Sequence, residues 1–447
     1  MKIPKNPPDP SKDRVGIVTN PHKFKLVHEE AIKAEREGKY RHWDILRHLT
    51  PPQGLTSEEW WAGIKMHRVS RYKNVPLVDV KNSGHFVYNL TDSVLEELHK
   101  IDLGAGGSIT FPEKIINSHT RDQYIVRSLI EESITSSQIE GAATTRSVAK
   151  EMIRSGRPPR DNSERMILNN FYTMQKIAEW KSQPLSWSLV QEIHRCITQD
   201  TLENPDGVGR FRNSSERVVV EEVGTGNILY TPPPANELAH RMEMMCDFAN
   251  GKSSTHFIHP VIRAIILHFW LAYDHPFVDG NGRVARALFY WLILRSGYWL
   301  FEFISISEII LKATVKYGEA FLYTESDQND LTYFIVHQID VIKKSIESLY
   351  KYIEKKSKQL NAVDGLLKDG GGFNRRQEEL LYHALRHPGA IYTIQAHKLS
   401  QRVAYDTARK DLLGLYENRY LEKEKRGKEF VFVAPSDLLE RMNKNKK

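Results

Sequence analysis

The residues Tyr273-Asp274-His275-Pro276-Phe277-Val278-Asp279-Gly280-Asn281-Gly282-Arg283-Val284-Ala285-Arg286 gather an imidazole, carboxylates, two glycines, an amide and two guanidinium groups into a single turn of chain. Glycines with an asparagine between them let the backbone curl, so that successive N–H groups converge on one anion at the start of the helix that follows. That helix, from Val284 to Leu294, is apolar nearly all round and therefore belongs inside a domain. Arg283 and Arg286 stand three residues apart in its first turn, where a cation opposes the helix dipole. An anion between them accounts for both, and either a carboxylate or a phosphate would serve. His275, at the lip of this turn, titrates near neutrality and can act as a general base. Asp279 offers a hard oxygen ligand of the kind Mg²⁺ prefers, and Phe277, apolar in a polar loop, reads as the loop's anchor in the core.

Two other chemistries use similar residues. Gly280 to Ala285 fits the loose G-x-G-x-x-A pattern of dinucleotide folds, but that pattern has meaning only directly after a strand, and Pro260 to Ala272 is too long and apolar for one. His256, His259, His268 and His275 could suggest a metal, yet no H-E-x-x-H or paired Cys-x-x-Cys accompanies them.

His275-Pro276-Phe277-x-Asp279-Gly280-Asn281-Gly282-Arg283-x-x-Arg286 matches the motif of the Fic family at every defined position, and the chain resembles that family here. The resemblance implies a mainly α fold, a helical core with a β-hairpin flap. It also implies transfer of AMP from ATP, with Mg²⁺, to a Ser, Thr or Tyr hydroxyl of a target protein or of the chain itself. In that reading His275 accepts the hydroxyl proton, Asp279 holds the metal, and Gly280, Asn281 and Gly282 cradle phosphates. Arg283 takes the β-phosphate and Arg286 the γ-phosphate. Phosphate or phosphocholine transfer by the same loop, and nucleotide sensing by a DNA-binding regulator, are the alternatives.

The elements that must position these residues come next. Arg121 to Glu140 has a helical apolar stripe in Ile125, Leu129, Ile130 and Ile134, with Gly141 as its C-terminal cap. Ser136 and Glu140, four apart, share a face. Ser136-x-x-x-Glu140-Gly141 is similar to the inhibitory motif of Fic proteins, in the subgroup that carries it ahead of the catalytic core. A Glu140–Arg286 pair would occupy the γ-phosphate position, so carboxylate and ATP would compete for one guanidinium. Removal of AMP by a water that Glu140 positions is a further implied activity. Arg217-Val218-Val219-Val220 and Ile228-Leu229-Tyr230 are β-prone runs around Gly224-Thr225-Gly226-Asn227, a hairpin pattern. By resemblance this hairpin is the flap whose edge pairs with an extended target segment.

At 447 residues with 40% hydrophobic content the chain has material for more than one domain. Its formal charge of +7 and pI near 9.0 allow an acidic partner without requiring one. Two cysteines, Cys196 and Cys246, without metal spacing suit a reducing compartment. No h-region opens the chain and no apolar run approaches the ~20 residues of a membrane span. The expected location is the cytoplasm, with no membrane partner.

Four regions are expected: a helical N-terminal region over 1–110 with residues 1–20 as an extended arm, a core over 111–360 that includes the helix 121–141, a linker over 361–372, and a winged helix-turn-helix over 373–447. Residues 103–108 read as a loop lacking a P-loop lysine, 307–323 as one helix, and 331–356 as another. In the last region Thr407 to Leu412 resembles the start of a recognition helix, and a basic turn, Lys425-Arg426-Gly427-Lys428, separates two strands. Such modules bind DNA in some proteins; Glu417, Glu422, Glu424 and Glu429 dilute the basic face, so protein recognition or a homodimer contact is an equal alternative.

Overall fold

The computed structural model describes residues 3–81, 84–106, 118–221, 226–253, 256–368, 373–426 and 429–444. It divides into two compact units, Met1–Leu349 and Tyr350–Lys447.

The first unit opens with helices α1 (Ser11–Val18), α2 (Pro21–Arg36), α3 (Trp43–Leu46) and α4 (Ser57–Val69). They enclose a cluster in which Trp43, Trp60 and Trp61 are buried with Ile17, Val27 and Ala31. A reciprocal pair of hydrogen bonds between Thr56 and Glu59 starts α4. The expected extended arm is thus corrected over Ser11–Val18: burial of Ile17 against this cluster rewards the helix. Strands β1 (Lys73–Val78) and β2 (His85–Tyr88) pair antiparallel, and α5 (Asp92–Ile101) follows. Residues 103–106 of the expected loop lie instead in a turn of π-helix, Asp102–Gly106; residues 107 and 108 lie outside the described residues.

The core proper contains α6 (Ser118–Ile139), α7 (Arg146–Ser155), α8 (Asn162–Trp180) and α9 (Trp187–Thr198), then the short strands β3 (Val220–Glu221) and β4 (Ile228–Tyr230). After them come α10 (Leu238–Ala249), α11 (Pro260–Asp274) and α12 (Asn281–Arg295). In α11 and α12 nearly every residue is buried, as an all-apolar helix requires. Residues 275–280 join these two central helices, so the chemistry-bearing loop is held at both ends by the most buried elements of the unit. α13 (Ile306–Leu311), α14 (Thr314–Ser326) and the start of α15 (Thr332–Lys368) complete the unit. The single helix expected over 307–323 is therefore two, broken at Lys312 and Ala313, where Ala313 leaves helical dihedrals. β3 and β4 pair antiparallel with a register shift between Val220 and Glu221.

α15 runs to Lys368, so residues 361–368, expected as linker, are helical; residues 369–372 lie outside the described residues. Ala362, Leu366, Leu367 and Lys368 favour the helix, which continues through Gly365. The second unit continues with α16 (Arg375–Arg386), β5 (Ile391–Tyr392), α17 (Ile394–Gln401) and α18 (Tyr405–Glu417). β6 (Glu422–Arg426), β7 (Glu429–Val433) and α19 (Leu438–Lys444) end it. The strand order is β5-β7-β6, all antiparallel, and Leu381, Leu412, Leu415, Leu421 and Phe432 form its core. Of the expected basic turn, residues 427 and 428 lie outside the described residues.

Candidate active site

His275 caps α11 in the left-handed region, at φ 46°, with its backbone N–H still bonded to Leu271. Its Nδ1–H donates to the Ala272 carbonyl at 3.2 Å, which assigns the proton to Nδ1 and leaves the Nε2 lone pair free. Burial pushes the imidazole below its ordinary value, against the opposing pull of the Ala272 carbonyl and of Glu140. The ring is thus a neutral base. Asp274, one residue before, is fully buried and pushed up to about 6 by that burial, although Arg241 (2.7 Å) and Trp270 (2.9 Å) both bond to it.

The loop after His275 is fastened at four points. Phe277 is completely buried and stacks on His194 at 3.8 Å between centroids, with the rings 2° from parallel. His194 also donates from Nε2 to the Asp279 carbonyl at 3.0 Å and accepts the Gly209 N–H on Nδ1 at 3.0 Å. Burial pushes it down to about 4, so it stays neutral and its tautomer fixed. Asn281 clasps Phe277 twice: Oδ1 accepts the Phe277 N–H at 2.9 Å, and Nδ2 donates to the Phe277 carbonyl at 2.8 Å. Arg212, 7% exposed, donates Nε to the His275 carbonyl and its backbone N–H to the Pro276 carbonyl, and Nη2 reaches the Pro233 carbonyl behind β4.

Gly280, at φ +83°, turns the chain into α12 under Thr198, whose methyl would lie 2.7 Å from a Cβ there. Helix geometry leaves the first N–H groups of α12 without intrahelical acceptors. Glu140 stands over them: a Cβ on Gly282 would lie 2.2 Å from its Oε1. That oxygen also accepts from Arg286 Nη2 at 2.8 Å. Arg286, 1% exposed, donates Nε to Ser136 Oγ and Nη2 to the Ser136 carbonyl at 2.8 and 2.9 Å. Burial disfavours its charge most, but Glu140, Tyr317 and Glu132 together outweigh that and hold it above its ordinary range. Gly141, at φ +93°, ends the segment that carries Glu140, as a C-terminal glycine should. Arg286 Nη1 has no hydrogen-bond partner, and Arg283 is less satisfied still. Equally buried, it makes one 3.3 Å bond to the Ile197 carbonyl and a 3.5 Å approach to Asp279, while Nε and Nη2 have no hydrogen-bond partner. Burial pulls it below its ordinary range. Buried donors left unpaired are costly, and an incoming anion relieves that cost.

The expected residues therefore converge, with two revisions. The Asn281 side chain is spent on Phe277, so only its backbone N–H faces an anion; the amide fits the loop's own groups better than it fits phosphate. On the flap, Val218 and Val219 lie before the strand, and among the described residues pairing is confined to Val220 with Tyr230 and Glu221 with Ile228; the turn 222–225 lies outside the described residues. Tyr230 is buried and packs 4.9 Å from Tyr273, Leu229 is half-buried, and Ile228 is 47% exposed. Arg212, Asn281 as a clasp and His194 as a loop support were not read from sequence. Asp279 is a single exposed carboxylate, and among the described residues no group of three or more metal-ligating side chains gathers. One carboxylate fits Mg²⁺, which takes its remaining ligands from phosphates and water.

Residues 184–293, which hold α9, the flap, α11 and most of α12, match the model of the Fic/DOC family. The chain is similar to the protein adenylyltransferase Fic of Drosophila sechellia, 41% identical over 109 residues that cover 24% of this chain and 20% of that protein. The Drosophila virilis protein of the same name is 33% identical over 159 residues, covering 35% and 30%. The matched segments span less than a third of these relatives' length. A solved Fic family protein from Desulfovibrio desulfuricans G20 shares the fold, with a TM-score of 0.54 at 18% identity over 77% of this chain and 97% of that one. Family model and relatives agree with the converged motif residues that residues 184–293 of this chain are a Fic domain.

Proposed function

We propose that the chain is a protein adenylyltransferase held at rest by Glu140. The observation that carries this is the Glu140 carboxylate on Gly282 and Arg286, standing where the N-terminus of α12 would receive a phosphate. In the reaction, a hydroxyl oxygen of the target bonds to the α-phosphorus of ATP. The bond from that phosphorus to the bridging oxygen breaks, pyrophosphate leaves, and His275 Nε2 takes the hydroxyl proton. The first N–H groups of α12 hold phosphate oxygens, Arg283 gains the acceptor its Nε and Nη2 lack, and Arg286 exchanges Glu140 for the γ-phosphate. Asp279 would hold Mg²⁺, which when bound neutralises phosphate charge. The flap, exposed at Ile228, offers its edge to an extended segment of the target, whether another protein or a second copy of this chain.

The test is ATP labelled on the α- or γ-phosphate, with wild type, Glu140→Gly and His275→Ala. Label entering protein only from the α-position, more in Glu140→Gly and none in His275→Ala, supports the reading. Label from the γ-position would replace it with phosphate transfer. Release of AMP from modified protein, lost in Glu140→Gly, would add the reverse reaction. No helix among the described residues is long and apolar enough to cross a membrane, and the unpaired Cys196 and Cys246 suit the cytoplasm.

A second reading concerns the C-terminal region. Residues 373–447 carry sixteen Lys and Arg against ten Asp and Glu, a formal +6 of the chain's +7. As a winged helix, this region would lay α18, with exposed Arg409 and Lys410, along duplex DNA. A gel shift that weakens with salt supports this; its absence at low salt leaves protein recognition as the module's role.

A further inference from the structure

α6 and α12 run antiparallel and meet through three pairs spaced four residues apart on both. Glu132 faces Tyr290, Ser136 faces Arg286, and Glu140, just past the end of α6, faces Gly282. Four residues is about one helical turn, so the pairs form a single polar ladder. Its lower rung is the inhibitory contact. Its upper rung is a carboxylate with no part in binding nucleotide: Glu132, 2% exposed, lies two turns before Glu140. It accepts the Tyr290 hydroxyl at 3.0 Å, the Ser305 hydroxyl at 2.8 Å, the Ser307 N–H at 3.1 Å and the Ser307 hydroxyl. These donors come from α12 and from the start of α13. Hydrogen bonds to a buried carboxylate are the stronger kind, and this rung fixes both the height and the rotation of α6 on α12.

We propose that Glu132 is the positioning residue of the inhibitory contact. It locks the register of α6, so that Glu140 returns to Gly282 and Arg286 each time an anion leaves. The geometry gives the reason. Glu140 lies beyond the last helical residue, Ile139, and its own carboxylate is 26% exposed, so its side chain alone is a loose plug. What keeps it in place is the helix behind it. With an amide in place of the Glu132 carboxylate and its bonds partly lost, α6 can shift or fray, and Arg286 becomes available to phosphate while Glu140 is still present.

This rests on the reading that Glu140 inhibits, and a double-variant cycle separates the two. ATP affinity and transfer from α-labelled ATP are measured for wild type, Glu132→Gln, Glu140→Gly and the double variant. Ser307→Ala is a milder second probe that removes one hydroxyl from the same carboxylate. Glu132→Gln should tighten ATP binding about tenfold in the wild-type background, the equivalent of one charge-assisted hydrogen bond. Ser307→Ala should act in the same direction by less. In the Glu140→Gly background neither should change affinity by more than about twofold, because no plug remains to be positioned. If Glu140→Gly tightens binding while Glu132→Gln and Ser307→Ala do not, Glu132 is only a structural buried acid and the proposal fails. If Glu140→Gly has no effect, the inhibitory reading itself falls. A purely structural role would lower stability equally in both backgrounds without changing the affinity difference between them.

Discussion

Gly282→Ala probes the anion seat from the side opposite to Glu140. The added methyl would stand 2.2 Å from Glu140 Oε1 and 2.9 Å from its Cδ, well inside contact distance. The carboxylate is the far end of a flexible side chain and can swing away, but Arg286 Nη2 then keeps only its bond to the Ser136 carbonyl and loses its one carboxylate partner. Losing that charge-assisted bond costs about 1.5–3 kcal/mol. Glu140 is therefore expelled, as it is removed in Glu140→Gly, yet activation should not follow, because the same methyl keeps phosphate off the first N–H groups of α12. A phosphate forced outward loses at least two such bonds. At about 1.5 kcal/mol each the loss is about 3 kcal/mol, or more than a hundredfold in affinity. The assay is calorimetric titration of ATP into Glu140→Gly and Gly282→Ala/Glu140→Gly, with circular dichroism to confirm that both fold. Expected is tight binding in the first and loss of two orders of magnitude in the second. If the double variant binds ATP within about threefold of Glu140→Gly, the seat at Gly282 is not where phosphate goes and the competition argument fails.

Two further outcomes follow from the loop. Arg212→Met should lower turnover about 10- to 100-fold with little change in KM for ATP, because Arg212 holds the carbonyls that aim His275 and not the phosphates; steady-state kinetics in the Glu140→Gly background checks this, and unchanged turnover refutes it. For pH, burial lowers the His275 titration, so the neutral base persists below its ordinary value of 6.5. Transfer should be on its plateau near pH 8, with the midpoint of its acid limb below 6.5. Glu140 works to raise this titration, so its removal moves the acid limb lower still; an acid limb centred at or above 6.5 would exclude His275 as the base.

Much of the site was legible because its information is local. The dense run from His275 to Arg286 sits on one turn, Ser136 and Glu140 sit on another, and glycine at 141 and 280 answers positive φ angles. Arg212 was not legible. It lies 63 residues before His275, in a segment without regular structure, and nothing around it marks a side chain that fastens a distant loop. The clasp that Asn281 makes on Phe277 was not legible for a different reason: an amide between two glycines is equally suited to a ligand and to the backbone four residues earlier, and only side-chain direction decides. The flap was read too long because β propensity in Val218 and Val219 cannot reveal where cross-strand pairing begins. α15 was read too short because Lys-rich helix and Lys-rich linker differ in neither composition nor charge.

The two arginines show why a resting contact of this kind can be both specific and reversible. Each is 1% exposed and each needs an anion, yet Glu140 bonds to Arg286 alone. Arg283 feels the carboxylate only at a distance and keeps two guanidinium nitrogens unbonded. The resting state is therefore incompletely satisfied by design of its spacing: one carboxylate cannot reach both cations, whereas adjacent phosphates can. A ligand displaces another only through its surplus of interactions in the shared site. On the proposed reading that surplus lies at Arg283, so ATP gains there what Glu140 cannot supply. A nucleotide carrying a single phosphate gains no such surplus and should leave Glu140 in place.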